Sequence, residues 1–437
     1  MLRDPITGLR DQAERGADAA AAPAGGAGGV GRRRAHPRRP VAEGVGAQEE
    51  ERGAGGARAG ASVAAGGMTI MQLWKDFIRD HADTAIRFSN DGFIAQEDTV
   101  LTNFERDNPR ALPNIEILLD QLEMAQLDWH RRKPASRNLK TLKSDIALLL
   151  KCVVKAAILD EDSWARPPAF DRLPYHVKLL QRLIGARQPG QASPWVFTTN
   201  YDLAVEWAAE SVGIHTHTGF VGIHNRTFSP QSFDLGYRNI NAKGEARFGC
   251  NDVYLAKLHG SLTWQCTDGE YRELAAPEAW PNLKKIADGV EAVDESLMVF
   301  PRAAKYLQTV GFLSGELFRR FSDFLARPQS CIILTGYSFG DDHINRLLRS
   351  ALLNPTLQVI AFLPEFIGTD PAQIEALKPE VKRLIALKSP RLTFVGGGAN
   401  AYFNHMVDFL PDPMLYDLKE QEFRDRIKAI SGDENAE

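Results

Sequence analysis

The chain contains 437 residues, of which 44% are hydrophobic and 25% are charged, and it carries a formal net charge of −4. This composition is typical of globular proteins and excludes a chain that is disordered or fibrous throughout. The slightly acidic balance also argues against a nucleic-acid partner, because such binders usually carry a basic face.

Targeting and metal-binding signals are lacking in the sequence. No apolar run approaches the roughly 18 residues that a membrane span needs, and no apolar core follows the N-terminal charges as in a signal peptide. We therefore expect a cytoplasmic protein with no membrane partner. The four cysteines form no Cys-x-x-Cys pair, so we expect no metal site. Cys331 begins an apolar run and is expected to be a buried thiol.

Residues 1–58 are dominated by alanine, glycine and arginine and contain no phenylalanine, tyrosine or tryptophan. Such a segment buries too little apolar surface to offset the entropy lost on ordering, so one interpretation is disorder. The other interpretation is a mistranslated segment, since a wrong start or a frame error in a GC-rich gene gives the same composition. Both stay open at this point.

The first elements predicted after this segment are helices. Apolar residues recur at helical spacing over residues 70–88, 114–126, 139–159 and 174–184, with Asn114 as the expected N-cap of the second helix. Because all four precede the first clear strand, residues from about 70 to 190 are predicted to form a helical insertion.

Beyond this insertion the pattern changes to short apolar runs that end in turn residues. Runs without polar alternation are typical of strands buried on both faces of a parallel sheet. The predicted strands are 195–198, 253–258, 297–300, 331–334, 357–363 and 392–395. Predicted helices over 201–211, 341–353 and 399–409 follow three of them. This alternation predicts a doubly wound α/β domain over residues 59–415, followed by a charged tail at 416–437.

Polar and glycine residues follow four of the predicted strands, at the edge where such sheets bind ligands. In chain order they are Thr199, Asn200, Asp202, His259, Gly336, Ser338 and Asn400. Each has an ordinary structural explanation when taken alone, because Asn and Asp cap helices and a histidine before a glycine can simply pack at a turn. Glycines, however, let backbone N–H groups approach a ligand. Asp341 and Asp342 are expected to cap the helix after Gly336 or to hold ribose hydroxyls.

As a set, these turns resemble those of the sirtuin family, and specifically its bacterial branch of NAD-consuming defence proteins. Thr198-Thr199-Asn200-Tyr201-Asp202 is similar to the family's Thr-x-Asn-x-Asp, His259-Gly260 to its catalytic His-Gly, and Gly336-Tyr337-Ser338 to its Gly-x-Ser. Ala59-Gly60-Ala61-Ser62 is similar to the end of its first turn, Gly-Ala-Gly-x-Ser. The resemblance covers most of the chain from about residue 58 and implies a Rossmann-like fold.

The resemblance also implies NAD as the substrate and assigns roles to the residues after the strands. Asn200 would orient the ribose and the attacking water, Asp202 would support that loop and the nicotinamide side, and His259 would act as a base. Histidine suits that role because its unperturbed pKa is about 6.5. The residues implied to bind the rest of the dinucleotide are Gly60, Ala61, Ser62, Thr199, Gly336, Ser338 and Asn400.

Two features depart from the family pattern. Arg58 stands where the family has the first glycine of its first turn, and no apolar strand precedes it. A frame error upstream of about residue 59 explains both anomalies. The family's zinc module, two Cys-x-x-Cys pairs, is also lacking in the sequence, which together with the helical insertion favours NAD hydrolysis over deacylation.

The sequence therefore predicts an NAD hydrolase that releases nicotinamide and ADP-ribose, in anti-phage defence by NAD depletion. An alternative is a sensor or scaffold subunit that binds NAD or ADP-ribose without turnover, and a third, less favoured one is a nuclease subunit. The resemblance implies a homo-oligomer whose activity is controlled by a HerA-type ATPase or a phage-derived activator.

Overall fold

A computed structural model of the chain describes residues 70–100, 115–133, 136–166, 173–185, 187, 192–237, 251–267, 269–289 and 311–412. Several predictions lie outside these residues. They are the segment 1–58, the first turn with Gly60, Ala61 and Ser62, the N-cap Asn114, the strand at 297–300 and the tail at 416–437.

Five described α-helices precede the first described strand. They are α1 (Ile70–Asp80), α2 (Ala82–Asn90), α3 (Ile115–Arg132), α4 (Arg137–Ala157) and α5 (Pro174–Gly185). The single helix predicted over 70–88 is wrong in one respect, because His81, with φ −137°, separates α1 from α2. Ser136 begins α4 by accepting a hydrogen bond from the Leu139 N–H at 3.2 Å, as an N-cap residue does.

One face of α4 holds this helical layer together. Leu142, Ile146, Leu149 and Val153 recur every three or four residues and are buried, so that they form the apolar stripe of an amphipathic helix. The stripe belongs to a hydrophobic cluster that spans the helices before β1 and extends to Trp207 beyond it. This helical layer is therefore packed onto the part of the chain that carries Asn200 and Asp202.

Six of the described strands form two parallel sheets. In the first, β1 (Trp195–Thr198), β2 (His215–His217) and β5 (Asp252–Lys257) have the order β1-β5-β2. In the second, β8 (Cys331–Leu334), β9 (Gln358–Phe362) and β10 (Leu392–Val395) have the order β10-β9-β8. The mixed α/β architecture with parallel sheets confirms the predicted fold class.

Among the described strands, β1 and β8 each lie at an edge of their parallel sheet. All four residues of β1 are only partly buried, whereas most of β5 is fully buried. Cys331 at the start of β8 is exposed, so the prediction of a buried thiol is wrong. An edge strand leaves such side chains uncovered, while a strand inside a parallel sheet is covered on both faces.

Helices follow the strands of both parallel sheets. They are α6 (Ala204–Ser211) after β1, α9 (Asp342–Ala351) after β8, and α10 (Pro371–Glu375) and α11 (Pro379–Ala386) after β9, while α8 (Gly311–Ala326) precedes β8. The single helix predicted over 399–409 is wrong. Tyr402 is extended, with φ −76° and ψ 154°, and separates a 3₁₀ turn at Gly398–Ala401 from the short α12 (Phe403–Met406).

A third, antiparallel sheet was not predicted from the sequence. It consists of β3 (Phe220–Val221), β4 (Arg226–Phe228), β6 (Trp264–Thr267) and β7 (Glu270–Glu273), in the order β3-β4-β7-β6, and α7 (Ala276–Asp288) follows it. Trp264 is 2% exposed and its indole N–H donates to Glu273 Oε1 at 3.3 Å, so this side chain belongs to the core.

Candidate functional site

The strands β1 and β5 bring two of the predicted catalytic residues to adjacent strand ends. Their parallel register pairs Thr198 with Lys257. Asn200 lies two residues after Thr198, and His259 lies two residues after Lys257. The two turns stay connected past the strands, because the Leu258 N–H donates to the Thr198 carbonyl at 2.8 Å. The predicted juxtaposition of Asn200 and His259 is thus a direct result of the sheet register.

The turn after β1 exposes Asn200 and uses Asp202 to begin a helix. The Asn200 N–H donates to Thr198 Oγ1 at 3.0 Å, and the Asn200 side chain is exposed. Asp202 Oδ1 accepts a hydrogen bond from the Ala204 N–H at 3.1 Å, where α6 begins. The capping explanation therefore holds for Asp202, while Asn200 presents its amide to solvent, where a ligand can reach it.

His259 is buried and bound to an aspartate from the other parallel sheet. Its side chain is 9% exposed, and Nε2 lies 2.9 Å from Asp341 Oδ2. Asp341 follows β8, so the contact joins the end of β5 to the turn after β8. A carboxylate on one nitrogen fixes the tautomer of a neutral imidazole and stabilises the protonated ring. This pair gives His259 the support that a general base needs.

Asp341 also caps α9, as the sequence predicts. Its Oδ1 accepts hydrogen bonds from the N–H groups of His343 at 2.8 Å and Ile344 at 3.1 Å. Burial raises the pKa of Asp341, but the hydrogen bond with His259 and those from the helix outweigh it, so the pKa lies below its usual value. Asp341 is therefore ionised beside His259 at neutral pH. Sequence reasoning assigned the cap and missed the pairing.

Two residues of the turn after β8 have positive φ angles. Gly336 has φ +63°, and Phe339 has φ +55°, which is uncommon for a residue with a side chain. Phe339 is held there by burial and by the Asn345 side chain, whose Nδ2 donates to its carbonyl at 3.0 Å. Thr335 Oγ1 is buried and has no hydrogen-bond partner among the described residues, and Ser338 is partly exposed. These hydroxyls and the glycine backbone suit contacts with ribose and phosphate.

Asn400 follows β10, the strand at the other edge of the β10-β9-β8 sheet from β8. It is exposed in the turn after β10, and β9 separates β10 from β8. Two strand spacings amount to roughly 10 Å. Gly396 begins this turn against the chain at Phe366, because a Cβ at Gly396 would lie 1.6 Å from the Phe366 carbonyl oxygen. The structure thus leaves Asn400 at the rim of the sheet, with a more distant role.

His176 of α5 is a further candidate that the sequence analysis did not select. It is 7% exposed, its Nδ1 has no hydrogen-bond partner, and its ring lies 5.1 Å from the ring of Phe403. Burial lowers the pKa of His176 to about 4, against an opposing effect of the charge on Asp202. His176 is therefore a neutral imidazole next to the Asp202 turn.

The other histidines and the cysteines give no metal centre in the part of the chain that the structure describes. No group of three or more His, Cys, Asp or Glu residues there could hold a metal ion. His217 on β2 is instead paired with the buried Asp252, with Nε2 and Oδ2 3.2 Å apart. Across the same residues, no helix has both the length and the apolar character to cross a membrane.

Comparison with protein families connects this geometry to a known domain. Residues 194–381 match the model of the SIR2-like domain. A search of curated proteins gives no match. The matched segment contains Asn200, Asp202, His259, Gly336 and Ser338, and it ends before Asn400. The match supports a sirtuin-like family, a Rossmann-like domain and an activity related to NAD.

Proposed function

We propose that this SIR2-like chain is an NAD hydrolase that cleaves the bond between nicotinamide and ribose. The observation that carries the proposal is the His259–Asp341 pair beside Asn200, at the carboxyl ends of β5 and β1. A buried imidazole held by an ionised carboxylate is equipped to take a proton from water or from a ribose hydroxyl.

The chemistry assigns a separate task to each side chain. Water attacks the anomeric carbon of the ribose, the carbon–nitrogen bond to nicotinamide breaks, and the products are nicotinamide, ADP-ribose and a proton. Nicotinamide leaves as a neutral molecule, so no acid is needed to protonate it. Asn200 orients the ribose and the water, His259 accepts the proton, and the Asp341 carboxylate stabilises the positive charge that His259 gains.

Other described residues carry chemical groups that suit contacts with the remaining parts of a dinucleotide. Thr335 supplies a buried hydroxyl that lacks a partner, Gly336 supplies a turn with positive φ, and Ser338 supplies a second hydroxyl. Asp202 and the neutral His176 are suited to the carboxamide of nicotinamide, because a carboxylate and an unprotonated imidazole nitrogen both accept hydrogen bonds. Thr199 and Asn400 remain proposed contacts at the edges of the ligand.

The direct test is to incubate the purified chain with NAD and to quantify the products by chromatography. We expect nicotinamide and ADP-ribose in equal amounts. If NAD stays intact with the purified chain alone, and also after extract of phage-infected cells is added as the source of an activator, the result contradicts hydrolysis.

A second candidate function is a sensor that binds NAD or ADP-ribose without turnover. Arg58 favours it, because it stands where the family's first turn has a glycine and an arginine there would crowd the turn implied to meet the pyrophosphate. Titration of ADP-ribose and NAD by calorimetry separates the two functions, because a sensor gives binding heat and no nicotinamide.

We also propose a biological setting for the activity. An enzyme that drains NAD is toxic when active, so we expect it to be a cytoplasmic homo-oligomer controlled by a HerA-type ATPase or a phage component. Such control suits anti-phage defence by NAD depletion. Co-purification with the ATPase and phage challenge of cells that carry His259→Ala are the tests of this setting.

A further inference from the structure

Lys257 is a buried lysine at the end of β5, two residues before His259. Its side chain is 1% exposed, and it is the last residue of β5 (Asp252–Lys257), whose middle residues are apolar. An ammonium group is costly to bury unless it is paired and hydrogen-bonded. Its partners therefore show what the residue does.

All three ammonium hydrogens of Lys257 are directed at the turn after β1 and the helix that follows it. Nζ donates to the carbonyl of Tyr201 at 3.4 Å and to the carbonyl of Asp202. It also forms an ion pair with Glu206 Oε1 at 2.8 Å, on the first turn of α6. Since an ammonium group has three donors, none is left for another partner.

The carbonyls bound by Lys257 belong to the residues that flank and follow Asn200. The Leu262 N–H, beyond His259, donates to the same Tyr201 carbonyl at 3.2 Å. The turn of Asn200 is thus attached to the strand of His259 on one side and to the turn after His259 on the other. These bonds fix the position of Asn200 relative to His259.

Glu206 supports this attachment and does not itself reach the turn. Its side chain is 16% exposed, and its Oε2 is buried and accepts no hydrogen bond from the part of the chain that the structure describes. Burial raises the pKa of Glu206, and the neighbouring Lys257 charge acts against that rise. The carboxylate neutralises Lys257, whereas the two backbone carbonyls are the groups that Lys257 holds in place.

We infer that Lys257 is a positioning residue that holds the Asn200–Asp202 turn against the end of β5, the strand that precedes His259. The inference deepens the proposed NAD hydrolysis and rests on it for its effect on catalysis. A displacement of about 1 Å in a catalytic constellation costs on the order of 100-fold in rate, so a loosened turn is expected to lower kcat far more than it raises KM.

The test compares Lys257→Met, Glu206→Gln and the double variant by kcat, KM for NAD and unfolding midpoint. Removing either partner alone leaves a buried group unpaired, so both single variants are expected to melt about 10 °C lower. The double variant removes both charges and is expected to regain most of that midpoint. Lys257→Met and the double variant are expected to lose about 100-fold in kcat. Glu206→Gln keeps both carbonyl contacts and is expected to lose only a few-fold.

The double variant separates positioning from stability. If its kcat recovers together with its midpoint, Lys257 acts through the stability of the ion pair and the inference is wrong. A Lys257→Met variant with wild-type kcat also overturns it.

A second measurement does not depend on the proposed function. In hydrogen exchange, amides of residues 199–203 and 259–262 are expected to exchange at least 10-fold faster in the double variant than in wild type, while those of Gln358–Phe362 stay unchanged. If the amides of these two turns exchange equally fast in the double variant and in wild type, the inference is wrong, even if the wild type releases no nicotinamide. Faster exchange in the double variant, combined with a wild type that releases no nicotinamide, supports the attachment by Lys257 and contradicts only the proposed hydrolysis.

Discussion

At the scale of single residues, the most informative contact is the one between His259 and Asp341. Asp341 does two things at once, because one carboxylate oxygen caps α9 and the other holds the imidazole. The cap fixes the carboxylate in space, and that rigidity is passed to the ring of His259. The two roles can be separated by mutation, since asparagine caps a helix as well as aspartate does but carries no charge.

We expect Asp341→Asn to keep the helix and to lose activity. Nicotinamide release should fall at least about 10-fold, since general base catalysis contributes roughly 100- to 10,000-fold and depends on the orientation of the base. The unfolding midpoint should change by only a few degrees. Asp342→Asn is the matched control, because Asp342 is exposed in the first turn of the same helix. Equal rates for the two variants would refute the pairing as a catalytic feature.

His176 predicts how stability depends on pH. Its pKa in the folded protein is lowered by burial to about 4, from 6.5. Between these values the unfolded chain binds a proton that the folded chain excludes, so the contribution of the neutral ring is complete above pH 6.5. It is lost as the pH falls from 6.5 towards 4, by up to about 3 kcal/mol.

Denaturant unfolding of wild type and His176→Phe across this pH range checks the expectation. The unfolding free energy of wild type minus that of His176→Phe should increase as the pH rises from 4 and level off above pH 6.5. His215→Gln, which replaces an exposed histidine, should follow the wild-type curve. A His176→Phe curve parallel to wild type would contradict the buried, neutral state of His176.

At the scale of secondary-structure elements, the sequence predicts the helices and strands whose apolar residues form a clear pattern. The apolar runs predicted β1, β5, β8, β9 and β10 to within about one residue at most ends, and helical spacing predicted α3, α4 and α5. The antiparallel strands were missed because they are short and polar: Arg226–Phe228 and Glu270–Glu273 contain few apolar residues, and tertiary pairing stabilises them instead.

The residues of the candidate site also fall into two groups, those that the sequence could indicate and those that it could not. Residues that directly follow a buried strand, such as Asn200 and His259, could be selected from sequence position alone. The supporting pairs could not be predicted, because the contacts of Asp341 with His259 and of Glu206 with Lys257 are set by tertiary packing. Lys257 did carry a signal, since a lysine at the end of an apolar run must find buried partners.

The helical layer offers a test at this scale. Leu149 on the buried stripe of α4 is fully enclosed, so Leu149→Ala is expected to lower the free energy of unfolding by about 2–5 kcal/mol. Leu127 of α3 is 44% exposed, and its replacement by alanine is expected to change that energy by less than about 1 kcal/mol. Denaturant titration measures both, and similar losses would contradict the assigned packing of α4.

At the scale of the whole molecule, the site lies where two hydrophobic clusters meet. One cluster includes the helices before β1 together with Val253 of β5, and the other includes Ala256 of β5 and the elements around β8 and β9. β5 is buried over most of its length, and His259 lies two residues after its end. Because His259 also binds Asp341 from beyond β8, the two parallel sheets present their carboxyl ends to one site. This arrangement suits a ligand that extends across both sheets, as a dinucleotide does.

A side-by-side rate assay of wild type, Asn200→Ala, His259→Ala and His215→Ala tests the claim that this junction releases nicotinamide from NAD. We predict that wild type and His215→Ala release nicotinamide at equal rates, while Asn200→Ala and His259→Ala lose at least about 100-fold. Release that persists unchanged in His259→Ala would contradict the claim.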